Sequence, residues 1–434
     1  MAPLLHRQPF KAIYLLGFSI VTILQLPCWL LYYSRRSNRP RRSWTLQRTI
    51  AVRMLRNTTR ILLWLGVLDG RDLSLEVPQK ELESLNARFV WIPELEKDDI
   101  VGMVAEHATR AGVESIAIPA YWILKEGIKW SPAYERAQKD EKVVLYFHGG
   151  AFVVRFFPLC PILVPTVFSQ VGTAHPSHPT ASAAKGTLKH STSLSRILSV
   201  DYRLSSLPPL ELWNPFPAAV VDAIAAYKYL VCGVGFLPQN ITVAGDSAGG
   251  NLALAVTRYV VESRLPHLPP PGGLIALSPV TDMSFSRAAI NSSHYLNAGS
   301  DIFDLPPGCH PDTFGKPLIA AYIGRMDPEE TKHNRYISPA SKFVIPPNVD
   351  GDTKLFSGFP RSYIMGGGAE HLFDDIVALA ERMKDDGVDI TTDFPPDAVH
   401  AYSLFSWHEP ERTESFIKCA AWLDGRLEAT PVVE

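Results

Sequence analysis

No Cys-x-x-Cys pair occurs in the 434-residue chain, whose five cysteines (Cys28, Cys160, Cys232, Cys309 and Cys419) lie scattered along it. That spacing offers neither a zinc site nor a dithiol redox centre, so no metal and no cofactor is expected. Cys28 falls in an apolar N-terminal segment. The four beyond it are expected as buried free thiols, with pairing as the alternative. Net charge is scarce as well, since 42 basic residues against 44 acidic ones leave −2. The globular part has no basic block, which excludes nucleic acid as a partner. Internal repeats and low-complexity tracts are missing, and the 36 prolines cluster in loops without a period. Apolar residues are plentiful at 46%, enough for a large core.

Ala12–Tyr33 carries no charged residue. As a helix it would cover roughly 33 Å, enough to cross a bilayer. A signal peptide has a shorter apolar core followed by a small-x-small cleavage site. Here Tyr32-Tyr33-Ser34-Arg35-Arg36 follows, which suits an uncleaved single-pass anchor. Arg7 and Lys11 precede the run, whereas Arg35, Arg36, Arg39, Arg41 and Arg42 follow it. The charge rule therefore places the globular part on the cytoplasmic side. Sequons at Asn57, Asn240 and Asn291 permit a lumenal one. Trp44–Leu68 interleaves Ile50, Val52, Leu55, Ile61, Leu62 and Leu65 with Arg48, Arg53, Arg56 and Arg60. It reads as a basic amphipathic helix with two compatible roles of equal weight: lying on a membrane surface, and capping the globular domain.

Strand-like runs follow at Arg88–Ile92, Ser115–Leu124, Val143–Phe147, Leu198–Tyr202, Ile241–Val243, Leu274–Leu277, Ser362–Met365 and Val388–Phe394. Helical patterns lie at Pro217–Leu230, Phe373–Asp386 and Glu414–Leu427. Residues 172–196 read as an exposed loop insertion, and about 279–358 as a long irregular segment. Strands alternating with helices imply a mostly parallel sheet covered on both faces.

Ile241–Val256 organises the rest. A β-branched run meets Gly245-Asp246-Ser247-Ala248-Gly249, and a small-residue helical stretch follows. This is the strand–turn–helix setting of a G-x-S-x-G nucleophile elbow. Two glycines and a serine arise easily by chance, so the partners decide. A serine nucleophile needs a base, an acid that orients the base, and donors for the oxyanion. In this architecture the order is Ser, then Asp or Glu, then His, each in a loop after a strand. Glu370 lies in the loop after Ser362–Met365, and His400 in the loop after Val388–Phe394. His371 precedes the last strand and His408 lies beyond the loop, so both are poor bases. Asp374 and Asp375 open a helix, where its dipole explains them. Asp397 is too near His400 in sequence. For the oxyanion, His148-Gly149-Gly150 follows a strand, which offers the N–H groups of Gly149 and Gly150 beside that of Ala248.

His148–Ala151, Asp201-Tyr202-Arg203-Leu204, Pro217-Ala218-Ala219, Gly245–Gly250 and His400-Ala401 together resemble the hormone-sensitive-lipase family of α/β-hydrolases. The resemblance runs from about Lys142 to Trp422, and is nearest to the membrane-anchored arylacetamide deacetylase and fungal steryl acetyl hydrolase type. It implies a mostly parallel eight-stranded sheet with helices on both faces and a cap over the site. It also implies a serine esterase for short-acyl esters of lipophilic alcohols, in the endoplasmic reticulum and on its lumenal side. The expected division is an anchor with basic flank (1–43), an N-terminal cap (44–86) and a catalytic domain (87–434) carrying a cap insertion at about 279–358. Three residues depart from the family pattern. Ala151 replaces a third glycine, Ser205-Ser206 replaces Ala-Pro, and Glu370 replaces the commoner aspartate. Two other readings stay open on the same fold. One is an amidase or peptidase. The other is a ligand-binding module like the plant gibberellin receptors, which lack the histidine that this chain has at 400.

Overall fold

The apolar runs pair into an eight-stranded sheet in a computed structural model, which describes residues 9–64, 78–153, 173–206, 211–303, 312–347 and 353–426. The strands are β1 (Ala87–Ile92), β2 (Ile118–Leu124), β3 (Lys142–Phe147), β4 (Leu194–Val200), β5 (Ile241–Asp246), β6 (Gly273–Leu277), β7 (Ser362–Met365) and β8 (Ile390–Asp393). They lie in the order β1-β2-β4-β3-β5-β6-β7-β8. β2 runs antiparallel to β1 and β4, and every other neighbouring pair is parallel.

Helices α1 (Phe10–Ser34) and α2 (Leu46–Trp64) precede the sheet, and α3 (Gln79–Glu83) and α4 (Gly102–Ala111) flank β1. Then come α5 (Ala181–His190), α6 (Ala218–Lys228), α7 (Ala248–Ser263), α8 (Ser293–Leu296), α9 (Asp312–Ile323), α10 (Phe373–Asp385) and α11 (Glu411–Leu423). β3 shows why both sheet faces are apolar. Val143, Leu145 and Phe147 pack with α6 and α7, whereas Val144 and Tyr146 point to the opposite face, towards α5 and α11.

Of the expected loop at 172–196, the described residues 173–196 are not the exposed loop that their composition suggests. They contain α5 and the start of β4, with Ala181, Ala183, Ala184 and Leu188 buried. Small residues here serve close packing: a Cβ on Gly186 would lie 2.4 Å from the Phe416 ring of α11. The thiols also divide differently from expectation. Cys419 is buried and free, whereas Cys232 is exposed, and Cys160 and Cys309 lie outside the described residues.

α1 is long and apolar enough to cross a membrane, and it exposes Ile13, Leu16, Ile20, Leu24 and Leu31. In α2, Arg48 and Arg56 turn inward. Arg48 is buried and forks onto both Glu411 oxygens at 2.8 and 2.7 Å, and Arg56 is buried against the carbonyls of Ala298 and Asp301. These two guanidinium groups thus tie α2 to the start of α11 and to the insertion after β6. Residues 65–68 of the expected helix lie outside the described residues.

Register then sets up the site. Phe147 pairs with Gly245, Asp246 with Leu277, Leu277 with Met365, and Met365 with Asp393. The residues that follow, 148, 247, 278, 366 and 394, leave the sheet along one edge. Ligand sites of parallel sheets form at that carboxyl edge.

Candidate active site

Ser247 stands between β5 and α7 at φ 53° and ψ −117°. A non-glycine residue held there stores about 1–3 kcal/mol of strain, which the surroundings must offset. Its N–H donates to the Leu277 carbonyl at 2.8 Å, and its carbonyl accepts the N–H of Val280 at 3.1 Å. The glycines on either side are sterically required. A Cβ at Gly245 would lie 2.2 Å from the Gly249 carbonyl oxygen, and one at Gly249 would lie 2.1 Å from that of Phe147.

His400 bridges the serine and the glutamate. Its Nε2 lies 2.8 Å from Ser247 Oγ and its Nδ1 lies 2.6 Å from Glu370 Oε2. Glu370 is fully buried and His400 nearly so. The other carboxylate oxygen, Oε1, accepts Ser278 Oγ at 3.0 Å and the Gly367 N–H. Burial pushes the Glu370 carboxyl above its ordinary pKa, against the opposing pull of His400. Burial alone would lower the His400 pKa, but the Glu370 hydrogen bond and charge, with Asp301 and Asp246, raise it above the ordinary histidine value.

The rivals have other partners. Asp374 accepts the N–H of Ser293 at 2.8 Å, and Asp375 lies 3.0 Å from His294. His371 Nδ1 faces the His294 carbonyl at 2.9 Å. The carbonyl of Asp397 accepts from the Trp44 indole at 2.9 Å. His408 Nε2 accepts the N–H of Val399 at 3.3 Å.

One expected oxyanion donor is displaced. The Gly149 N–H donates to Asp246 Oδ1 at 3.0 Å, so it is not free to meet a substrate. The amides of Gly150 and Ala151 have no hydrogen-bond partner among the described residues. Gly150 has φ 124° and Ala151 φ 54°, so the chain reverses there beside Ser247. Ala248 opens α7, where a first-turn N–H has no acceptor within the helix.

Motif reasoning did not anticipate Asp246, Ser278 or Asp301 as part of this arrangement. Asp246 is merely the variable residue of the elbow pattern, yet it is buried and also accepts Tyr146 OH at 2.6 Å. Burial raises its carboxyl to about 6, which Tyr146 and Gly149 oppose. Asp301 accepts the His400 N–H at 3.0 Å from within the irregular insertion.

A cavity of about 110 Å³ opens beside Ser247, Ala151 and Ala248. Phe152, Met283, Phe285, Phe303, Leu318 and Tyr322 give it an apolar wall. Asp282, His294 and His371 also reach it.

A family model for the α/β-hydrolase fold matches residues 187–404. An acetyl-hydrolase of Streptomyces hygroscopicus is 27% identical over 274 residues, covering 63% of this chain and 71% of that protein. A carboxylesterase of Mycobacterium tuberculosis is 25% identical over 364 residues, covering 82% and 90%. Among solved structures, a hormone-sensitive lipase from a metagenome library is 28% identical with a TM-score of 0.50, covering 71% of this chain and 82% of that one.

Proposed function

The chain belongs to the hormone-sensitive-lipase type of α/β-hydrolases and is a carboxylic ester hydrolase, and on that premise we propose that it removes short acyl groups from lipophilic alcohols. Ser247 is the nucleophile, His400 the general base and Glu370 the acid that orients it. The observation that carries this reading is His400 held at 2.8 Å from Ser247 and 2.6 Å from Glu370.

The steps follow from that geometry. As Oγ attacks the ester carbonyl, its proton passes to His400 Nε2, while Glu370 holds Nδ1–H and stabilises the imidazolium. The oxyanion lies against the N–H groups of Gly150, Ala151 and Ala248, fixed donors in a water-poor site. Nε2 then protonates the departing alkoxide. Water, deprotonated by the same nitrogen, attacks the acyl-serine and releases acid and Ser247.

The cavity supports a short acyl group, acetyl above all. At about 110 Å³ it is smaller than a ~150 Å³ apolar cavity that binds benzene. The name of the Streptomyces relative, an acetyl-hydrolase, points the same way. The exposed apolar α1 supports a single-pass membrane anchor and a membrane-dissolved alcohol, of the sterol-acetate or secondary-metabolite type. The domain in this reading faces the lumen of the endoplasmic reticulum. Residues 1–43 form the anchor and its flank, 44–86 an N-terminal cap, and 87–434 the catalytic domain with its insertion at about 279–358.

Turnover of p-nitrophenyl esters of graded chain length, beside a sterol acetate and a long triacylglycerol, tests the proposal. Acetate and butyrate esters should be preferred and long triacylglycerols left intact. A fluorophosphonate should label the wild type and not Ser247→Ala. Labelling of that variant, or preference for long acyl chains or peptides, overturns the reading.

A further inference from the structure

We propose that Asp301 is a positioning residue for the hydrolysis, holding the histidine loop and the acid loop together through their backbone amides. The proposal rests on the triad reading above. Asp301 is fully buried and lies in the insertion after β6. Its Oδ1 accepts the N–H of His400 at 3.0 Å and of Ile302 at 2.7 Å. Its Oδ2 accepts the N–H of His371, the residue after Glu370, at 2.8 Å. One carboxylate thus grips the base itself and the immediate neighbour of the acid, on loops that leave two different strands. Bonds from neutral amides to an ionised acceptor are among the stronger hydrogen bonds.

The turn that carries Asp301 is fixed in its own right. Asn297 Nδ2 donates to the carbonyls of Gly368 at 3.1 Å and Glu370 at 2.8 Å. Ser300 Oγ donates to the Ala369 carbonyl at 3.0 Å. From the other side Arg56 of α2 donates to the carbonyls of Ala298 at 2.5 Å and Asp301 at 3.1 Å. Helix α2 therefore supports the triad through Asp301. A displacement of about 1 Å between base and acid costs on the order of 100-fold in rate.

Asp301 also contributes charge. The charged groups facing the His400 imidazole are Glu370, Asp301 and Asp246, which together outweigh burial and raise its proton affinity. Removing the Asp301 charge should let His400 release its proton at lower pH. A residue that merely supported the fold would lower the melting temperature without moving that titration.

The test is Asp301→Asn in the full-length protein, assayed with p-nitrophenyl acetate across pH, with fluorophosphonate labelling to count folded sites. Asparagine keeps one acceptor oxygen and loses the charge. The kcat should fall about 10- to 100-fold with KM nearly unchanged, and the acid limb of kcat should move to lower pH. A kcat within twofold of wild type and an unmoved limb overturn the proposal. Should Asp301→Asn fail to fold, Arg56→Met decides: it loosens the turn and leaves the carboxylate in place. A several-fold loss of kcat supports the proposal, and wild-type kcat overturns it. His400→Ala reads the triad separately. If it is inactive while Asp301→Asn is normal, Asp301 alone has been misassigned. If His400→Ala turns over normally, the triad reading itself fails.

Discussion

Asp246 Oδ1 accepts the Gly149 N–H at 3.0 Å, so the residue before Ser247 fixes the loop that carries the Gly150 and Ala151 amides. The bond exists because β3 and β5 are adjacent parallel strands with Phe147 paired to Gly245, which brings the next residues of both strands together. Gly149 must lack a side chain for this contact, since a Cβ would lie 2.3 Å from Asp246 Oδ2. The turn at 149–151 and the turn at 247 are thus one rigid unit.

Asp246→Ala should break that unit. It leaves the Gly149 N–H and the Tyr146 hydroxyl unpaired in the core, which costs about 1–3 kcal/mol for each buried group left without a partner. The kcat should fall tenfold or more as the Gly150 and Ala151 amides lose their aim. Tyr146→Phe keeps the Gly149 bond and should cost only about 0.5–1.5 kcal/mol, with kcat close to wild type. Thermal melts beside ester turnover separate the two effects. Equal kcat in both variants would show that Asp246 does not fix the loop.

The pH profile follows from His400. Its pKa is raised above the ordinary value, and only the neutral ring can take the serine proton. Activity should therefore fall as pH drops through a value above about 6.5. Glu370→Gln removes the strongest support for the imidazolium, so the limb should move to lower pH. Its kcat should fall by roughly 10³–10⁴, as expected when the orienting acid of a triad is neutralised. Asp374→Asn should remain active, since Asp374 caps α8 through the Ser293 N–H. A dead Asp374→Asn beside a near-normal Glu370→Gln would exchange the two assignments.

Strands and elbow were legible because their signals are local: β-branched runs, glycines at fixed spacing, and a loop after each strand. What was not legible depends on partners far along the chain. α5 looked like a loop because Gly186 and its alanines are small, and they are small to admit Phe416. Gly149 looked like a free donor because its acceptor, Asp246, reaches it only through strand register. Asp301 bonds backbone amides of His371 and His400, and an amide leaves no mark in side-chain identity. The fate of α2 was open because a buried Arg48 and a lipid-facing one have the same periodicity. Its partner, Glu411, which lies far along the chain, is what shows that Arg48 is buried.

That Arg48–Glu411 pair gives a stability test. Burial raises the Glu411 pKa, but His408 and Arg48 overcome it and hold the carboxyl at about 2. An acid with a lowered folded pKa contributes stability above its unfolded value, near 4.3, and loses it as pH falls through the folded value. Glu411→Gln should therefore melt below wild type at pH 7, with the gap closing between about pH 4 and pH 2. Arg48→Met should show the same trend. A gap that is constant with pH would mean that packing, not the ion pair, holds α2 to α11.

Membrane attachment is the remaining expectation, and here sequence and fold bear on the same few residues. α1 exposes apolar side chains along 25 residues, about 37 Å of helix, which exceeds the ~30 Å hydrocarbon core. The link to the catalytic domain is short and tied down. Arg39 donates to the carbonyls of Tyr33 at 2.9 Å and Trp44 at 2.6 Å, and the Trp44 indole donates to the carbonyl of Asp397, three residues before His400. A helix in the bilayer would thus hold the domain close to the membrane surface, within reach of a lipid-dissolved ester. Full-length protein should resist carbonate extraction, and a chain beginning at Arg35 should be released. That shortened chain should keep its turnover of p-nitrophenyl acetate and lose rate selectively on a sterol acetate presented in vesicles. Protease added to intact microsomes should spare the catalytic domain if it is lumenal, whereas digestion would restore the orientation that the arginines at 35, 36, 39, 41 and 42 favour. Release of the intact chain by carbonate would remove the anchor from the account altogether.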